Sequence, residues 1–334
     1  MNKETNQYGV ALLGLGKYAG GQLAPALQQT KECYLAGIVT GDPVKASAWK
    51  TKYSLDEANI YDYDNFDAIK DNPAIDIIYV AVPNALHAGF VVRAARAGKH
   101  VICEKPMATT VEDCDSMIRA CREAGVSLSI GYRLHFEPYN QEMMRLASTQ
   151  KYGPVQKLIA KDGLNGTDGW RLNKQLAGGG PLMDVGIYCV QAAGYIFNTQ
   201  PIAVHAQAGK KTKPELFSEM EESLEFQLEY AGGYMAECSC SYVEELNYLH
   251  ATASNGFFEL QPAFEYTGIH GKASYGPMHY EQVVQQALQM DAIAAAIRNN
   301  QPSPVPGEMG RQDVLLLNKI YEAMESGTRI LIHE

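Results

Sequence analysis

The chain has 334 residues, of which 46% are hydrophobic and 20% charged. That is ordinary globular composition at a length that suits about two domains, and it excludes a disordered or low-complexity polymer. The 28 basic residues against 38 acidic ones leave a net charge of −10, which argues against a general nucleic-acid binder. Seven cysteines, an odd number in a long chain, argue against a disulfide framework. No apolar run approaches the ~20 residues that span a bilayer, and no signal-peptide pattern opens the chain, so a cytoplasmic protein is expected.

Residues 10–13 form a short apolar run ended by glycines, and residues 19–29 carry a helical pattern. Strands are predicted at 34–39, 75–82, 100–103 and 127–131, with helices at 43–53, 85–97 and 110–124. Strands alternating with helices imply right-handed βαβ units and a parallel sheet. After residue 130 the apolar period shortens to two, at 155–161, 202–208, 223–230, 234–242, 247–254 and 257–261. The two runs flanking Ala231-Gly232-Gly233 read as a hairpin, and the whole series as an antiparallel sheet. Helices are predicted at 139–149, 181–196, 281–299 and 311–326. The expected class is α/β. A doubly wound parallel sheet occupies 1–130, and an α+β domain with an open, mainly antiparallel sheet occupies 131–334.

Gly14-Leu15-Gly16-Lys17-Tyr18-Ala19 follows the first strand and opens the first helix. In that setting GxGxx(G/A) is a dinucleotide-binding fingerprint. Gly14 permits the tight turn, Gly16 lets the backbone approach a pyrophosphate, and Ala19 allows close helix–strand packing. The helix N-terminus adds N–H groups and a dipole that favour an anion. The end of the second strand discriminates between cofactors, because NAD sites usually place Asp or Glu there. Here the position is Thr40, followed by Gly41 and, one turn on, Lys45, which suits a 2′-phosphate. NADP is expected in preference to NAD, with Asp42 speaking for NAD.

Further segments join the glycine loop. They are AVPNALH at 81–87, AGKHVICEKP at 97–106, GYRLHFEPYN at 131–140, WRLN at 170–173 and GGGPLMDVGIY at 178–188. Together these resemble the Gfo/Idh/MocA oxidoreductase family over essentially the whole chain, and within it the glucose–fructose oxidoreductase group. The resemblance implies an N-terminal Rossmann domain and a C-terminal domain whose open sheet often forms a dimer or tetramer interface. It also implies reversible hydride transfer between a nicotinamide cofactor and a sugar or polyol carbon.

Lys105 lies just past a predicted parallel strand, on the side where such sheets bind ligands. By resemblance it is the catalytic lysine of the EKP segment. Asp184 and Tyr188 are four apart and should share one face of the helix that Gly180-Pro181 starts. Tyr188 is the expected acid/base, and Asp184 would hold a substrate hydroxyl. Many family members carry His where this chain has Tyr188, whereas the sugar-oxidising relatives carry Tyr. A phenol titrates at about 10 unperturbed, so it needs a nearby cation, for which Lys105 is the candidate. Trp170 and Arg171 match the segment that reaches the nicotinamide half, with Arg171 pairing a phosphate. Asn84 is read as a cofactor contact, His87 as a helix-start or packing residue, and Lys105-Pro106 as a candidate cis peptide.

The catalytic set is therefore Lys105, Asp184 and Tyr188. The cofactor set is Gly14, Gly16, Lys17, Tyr18, Ala19, Thr40, Gly41, Lys45, Pro83, Asn84, His87, Glu104, Lys105, Arg133, Trp170 and Arg171. No metal site is expected, because Cys238 and Cys240 share a strand face with no second ligand pair after them. Glu221-Glu222 reads as a solvated acidic face. The expected function is NADP-dependent oxidation of an aldose at C1 to the lactone, or reduction of a keto-sugar. Two alternatives are a dihydrodiol dehydrogenase-like enzyme acting on a non-sugar diol and a cofactor-binding sensor without turnover.

Overall fold

A computed structural model of the protein describes residues 7–332. Two compact units divide it. The first takes residues up to Arg133 together with Val284–Arg311, and the second takes Leu134–Val283 together with the chain from Gln312.

Six strands build the first unit's sheet: β1 (Tyr8–Leu13), β2 (Cys33–Val39), β3 (Ile60–Tyr61), β4 (Ile77–Val80), β5 (His100–Cys103) and β6 (Leu128–Ile130). All neighbours are parallel, in the order β3-β2-β1-β4-β5-β6. β2 and β4 are buried at every residue, as expected of strands covered on both faces. The crossovers carry helices α1 (Ala24–Leu27), α2 (Pro43–Tyr53), α3 (His87–Arg96) and α4 (Val111–Ala124), with a π-helical turn at Ala19–Leu23 leading into α1. The strand order reverses between β1 and β4, which creates the switch point where open α/β sheets take their ligands.

The second unit holds a nine-stranded sheet. Its strands are β7 (Val155–Asn165), β8 (Ala203–Ala208), β9 (Ser223–Glu229), β10 (Met235–Ser241), β11 (Val243–Ala253), β12 (Gly256–Leu260), β13 (Gly271–Ala273), β14 (Gly276–Pro277) and β15 (Ile330–Leu331). Their order is β14-β13-β12-β11-β7-β10-β9-β8-β15. Every pairing is antiparallel except that of β10 with β7, so the sheet is mixed. The β9–β10 hairpin closes where expected, with Gly232 and Gly233 at φ of 84° and 81°, a region L-residues avoid. Helices α5 (Pro138–Ser148), α6 (Lys174–Ala177) and α7 (Ile187–Phe197) belong to this unit. α7 is apolar nearly all round, and it packs on β7 and β10, covering one face of the sheet. β9 alternates buried and exposed residues, so its other face is open in the chain.

Helix α8 (Gln285–Arg298) and the start of α9 (Gly307–Ser326) return to the first unit, which a single cut at residue 130 does not anticipate. Hydrogen bonding explains the return. Ile130 donates its N–H to Val305 O at 2.8 Å, and Ser129 bridges to Pro306, so the outer edge of β6 is paired. The Asp291 carboxylate accepts from the N–H groups of Lys31 and Glu32 ahead of β2. Among the described residues no helix is long and apolar enough to cross a membrane.

Candidate active site

Gly14 ends β1 at a φ of +94°, and a Cβ there would stand 2.5 Å from Ala81 O. Only glycine fits that turn. Gly16 differs, because a Cβ on it would meet nothing within 4 Å. Its smallness serves no packing within the protein, so the space beside its backbone suits a close-lying ligand phosphate. Ala19 is buried where the following turn packs on the sheet, while Gly16 and Lys17 are exposed and Tyr18 is half-buried. This glycine cradle, followed at once by helical N–H groups, fits a dinucleotide pyrophosphate.

Thr40 ends β2 and is buried, and its hydroxyl accepts from Asp42 N at 3.3 Å. Asp42 is the N-cap of α2, with Oδ1 accepting from Val44 N at 2.9 Å and Lys45 N at 3.1 Å. The residue that spoke for NAD is thus engaged in starting a helix. Lys45 is exposed in that first turn, its Nζ 3.9 Å from Asp42 Oδ2. Gly41 lies against Tyr63, whose ring a Cβ would approach to 3.0 Å.

Pro83 and buried Asn84 follow β4 at the start of a short 3₁₀ turn. His87, at the start of α3, is completely enclosed. Its Nδ1 lies 3.0 Å from Pro106 O, and its Nε2 lies 2.9 Å from Val82 O. The ring ties the segment after β4 to the segment after β5. Burial pushes its pKa below the ordinary value.

After β5 come buried Glu104 and half-buried Lys105, and the Lys105-Pro106 peptide is cis. Glu104 turns inward. Its Oε1 accepts from the Tyr79 hydroxyl at 2.7 Å, and Oε2 accepts from Lys105 N at 3.3 Å. The Tyr79 hydroxyl in turn accepts from Gln289 Nε2 at 2.8 Å. Burial pushes the Glu104 carboxyl up from its ordinary value, against the opposing pull of Tyr79, Lys105 and Arg133. Arg133 is buried just past β6 and bonds the Gln285 side chain. Gly14, Thr40, Pro83, Asn84, Glu104, Lys105 and Arg133 thus all follow the carboxyl ends of parallel strands.

In the second unit, Trp170 and Arg171 lie on a 3₁₀ turn at Gly169–Leu172, the guanidinium 4.8 Å from the Trp170 ring centre. Arg171 Nε donates to Asp184 Oδ2 at 2.7 Å, a carboxylate of its own unit. The Tyr242 hydroxyl donates to the same oxygen at 3.2 Å. Asp184 sits in a π-helical turn, Leu182–Gly186, and Tyr188 lies on α7 just beyond it. The simple α-helical register expected between the two is therefore interrupted. Tyr188 is 8% exposed and stacks on Phe264 with ring centres 6.1 Å apart.

Glu221-Glu222 is not a solvated face, since the two side chains are 5% and 1% exposed. Glu221 accepts from Gly180 N, Leu182 N and the Tyr321 hydroxyl, and Glu222 from Thr212 and Lys213. A buried acid needs such donors. They lie elsewhere in the chain, beyond the reach of any local pattern. Tyr79, Gln289 and Tyr242 were missed for the same reason.

Residues 8–132 match the model of an oxidoreductase family with an NAD-binding Rossmann fold, and residues 141–274 match the GFO/IDH/MocA C-terminal domain. The crystal structure of aldose-aldose oxidoreductase from Caulobacter crescentus, complexed with glycerol, is similar at a TM-score of 0.95 and 38% identity. That match covers 98% of this chain and 100% of that one. The NADP(+) D-xylose 1-dehydrogenase of Haloarcula marismortui is 26% identical over 337 residues, covering 96% of this chain and 92% of the relative. The trans-1,2-dihydrobenzene-1,2-diol dehydrogenase of Danio rerio is 30% identical over 215 residues, covering 64% of this chain and 61% of the relative.

Proposed function

The chain belongs to the Gfo/Idh/MocA oxidoreductase family, and from that premise we propose that it is an NADP-dependent sugar dehydrogenase or reductase. It oxidises an aldose at C1 to the lactone, or reduces a keto-sugar in reverse. The observation that carries the cofactor half is the Gly14–Ala19 loop at the switch point, with open space beside Gly16. Neutral Thr40, helix-capping Asp42 and exposed Lys45 favour a 2′-phosphate over a bare ribose. The NADP(+) relative named above supports the same choice.

When bound, the nicotinamide supplies the hydride chemistry. The protein's task is to hold the sugar and move one proton. Tyr188 takes the proton from the reacting hydroxyl during oxidation and returns it during reduction. Lys105 donates to the reacting oxygen. Asp184 orients a sugar hydroxyl, and its carboxylate is itself directed by Arg171 and Tyr242, which both donate to Oδ2. Asn84 and the segment after β5 complete the cofactor contacts. The open face of the second sheet is the surface for a homodimer or homotetramer.

Purified protein with NADP⁺ or NAD⁺ and a panel of aldoses and diols, followed at the reduced-nicotinamide absorbance, tests the assignment. Reduction of NADP⁺ with an aldose is the expected result, and NAD⁺-only activity would refute the roles of Thr40 and Lys45. Turnover confined to diols would establish the second reading, which the Danio rerio relative favours. Lys105→Ala and Tyr188→Phe should each lower kcat by about 10²–10⁴-fold with little change in cofactor affinity.

A further inference from the structure

We propose that Glu221 is a positioning residue that caps and fixes the start of the helix bearing Asp184 and Tyr188. The inference rests on the assignment of those two residues to the active site. The segment Gly178-Gly179-Gly180-Pro181 leads into the π-helical turn without any side-chain cap of its own. A helix start leaves backbone N–H groups unpaired, and an acceptor must come from somewhere. Here it comes from 41 residues away, where both Glu221 oxygens accept from Gly180 N at 3.1 and 3.2 Å. Oε1 also accepts from Leu182 N at 3.2 Å, two residues before Asp184. An anion at that end of a helix is favoured by the dipole as well as by the hydrogen bonds.

The clamp has a third member and a second arm. The Tyr321 hydroxyl, from α9, donates to Glu221 Oε1 at 2.8 Å and fixes the carboxylate from the other side. The neighbouring Glu222 accepts Tyr242 N at its carbonyl oxygen at 3.0 Å, and the Tyr242 hydroxyl reaches Asp184. Residues 221–222 thus hold both the backbone beneath Asp184 and the side chain that directs its carboxylate. The glycines are the counterpart of this arrangement. A Cβ on Gly179 would stand 1.9 Å from Tyr321 Oη, and one on Gly180 would stand 2.4 Å from Glu221 O and 2.8 Å from its Cδ. The glycine run is small because the clamp comes in so close.

Glu221→Ala, Glu221→Gln and Tyr321→Phe, with Tyr188→Phe as the reference, test the proposal in the full chain. The readouts are melting temperature, kcat and KM for the sugar, and the Kd for NADPH by fluorescence. A shift of about 1 Å in reacting groups costs up to ~10²-fold. Folded Glu221→Ala should therefore lose about 10- to 100-fold in kcat while NADPH affinity stays within about twofold. Glu221→Gln should restore activity to within about threefold, because its amide oxygen, with two lone pairs, can take the place of Oε1 toward Leu182 N and the Tyr321 hydroxyl. Tyr321→Phe should lose about threefold. Wild-type turnover in folded Glu221→Ala, beside an impaired Tyr188→Phe, overturns the clamp and leaves the active-site assignment standing. Wild-type turnover in Tyr188→Phe overturns that assignment and the inference with it. Glu221→Gln as poor as Glu221→Ala overturns capping as the cause. If Glu221→Ala does not fold, wild-type turnover in Tyr321→Phe overturns the proposal.

Discussion

Glu104 in the first unit and Glu221 in the second are both buried and both accept from a tyrosine hydroxyl, and the two pairs are built differently. In the first unit Glu104 is held largely through side chains, in the chain Gln289 to Tyr79 to Glu104. In the second, Glu221 is held mainly by the backbone N–H groups of Gly180 and Leu182, with the Tyr321 hydroxyl as its side-chain donor. A carboxylate held by side chains sets the state of its neighbours, because a change at any link alters the charge beside Lys105. One held by backbone sets the path of the chain. The same residue type at the same depth thus does electrostatic work in one unit and geometric work in the other.

The largest effects should come from crowding the two carboxylates. Gly180→Ala drives a Cβ into Glu221's own backbone oxygen, whereas Gly131→Ala meets the Glu104 side-chain carboxylate at 2.6 Å. Overpacking should cost about 3 kcal/mol at Gly180 and about 1 kcal/mol at Gly131, read by denaturant unfolding. Equal losses would erase the distinction between backbone and side-chain holding.

Removing the hydroxyls should give the next largest effects. Tyr79→Phe strands Gln289 as well as Glu104 and should cost about 2–3 kcal/mol. Tyr321→Phe removes one donor of several and should cost about 1 kcal/mol. A larger loss at Tyr321 would mean that the hydroxyl, and not the backbone, anchors Glu221.

The smallest effect is the pH dependence, and it separates Glu221 from its neighbour. Burial pushes the Glu221 carboxyl up, against its hydrogen bonds, so the folded state holds that proton more tightly than the unfolded chain. Its contribution to stability is complete below the ordinary carboxylate value and is lost as pH rises through the folded value. For Glu222, burial opposes the charge but the Thr212 hydroxyl and the Lys213 and Thr212 N–H groups outweigh it, holding the carboxyl below its ordinary value. That contribution is present above the ordinary value and is lost as pH falls through the folded one. Melting temperature against pH should therefore decline less steeply above the ordinary carboxylate range in Glu221→Gln. It should decline less steeply at the acid end in Thr212→Ala. Unchanged slopes would refute the opposite assignments.

What was legible in the sequence was what local pattern controls. Strand β5 and helix α2 fall on the predicted residues, because apolar runs and a Pro-initiated helix declare themselves within a few positions. The glycine loop declared itself by its place between strand and helix. Strands β3, β14 and β15, of two residues each, left no period to read. The π-helical turns shift side-chain phase without any compositional sign, which hid the interruption between Asp184 and Tyr188. Asp42 looked like a ribose ligand because a helix cap and a ribose acceptor are the same residue type at nearly the same place. Glu221 looked solvated because its partners are 41 and 100 residues away.

The return of Val284–Arg311 to the first unit also orders events on the ribosome. When β6 has been made, the edge it presents is still bare, and Tyr79 still lacks its donor. Gln289 and Val305 emerge only ~160 and ~175 residues after β6, at ~5–20 residues per second roughly 8 to 35 s later. By then β7 to β14 have all been synthesised. During that interval β6 offers a strand edge open to wrong partners.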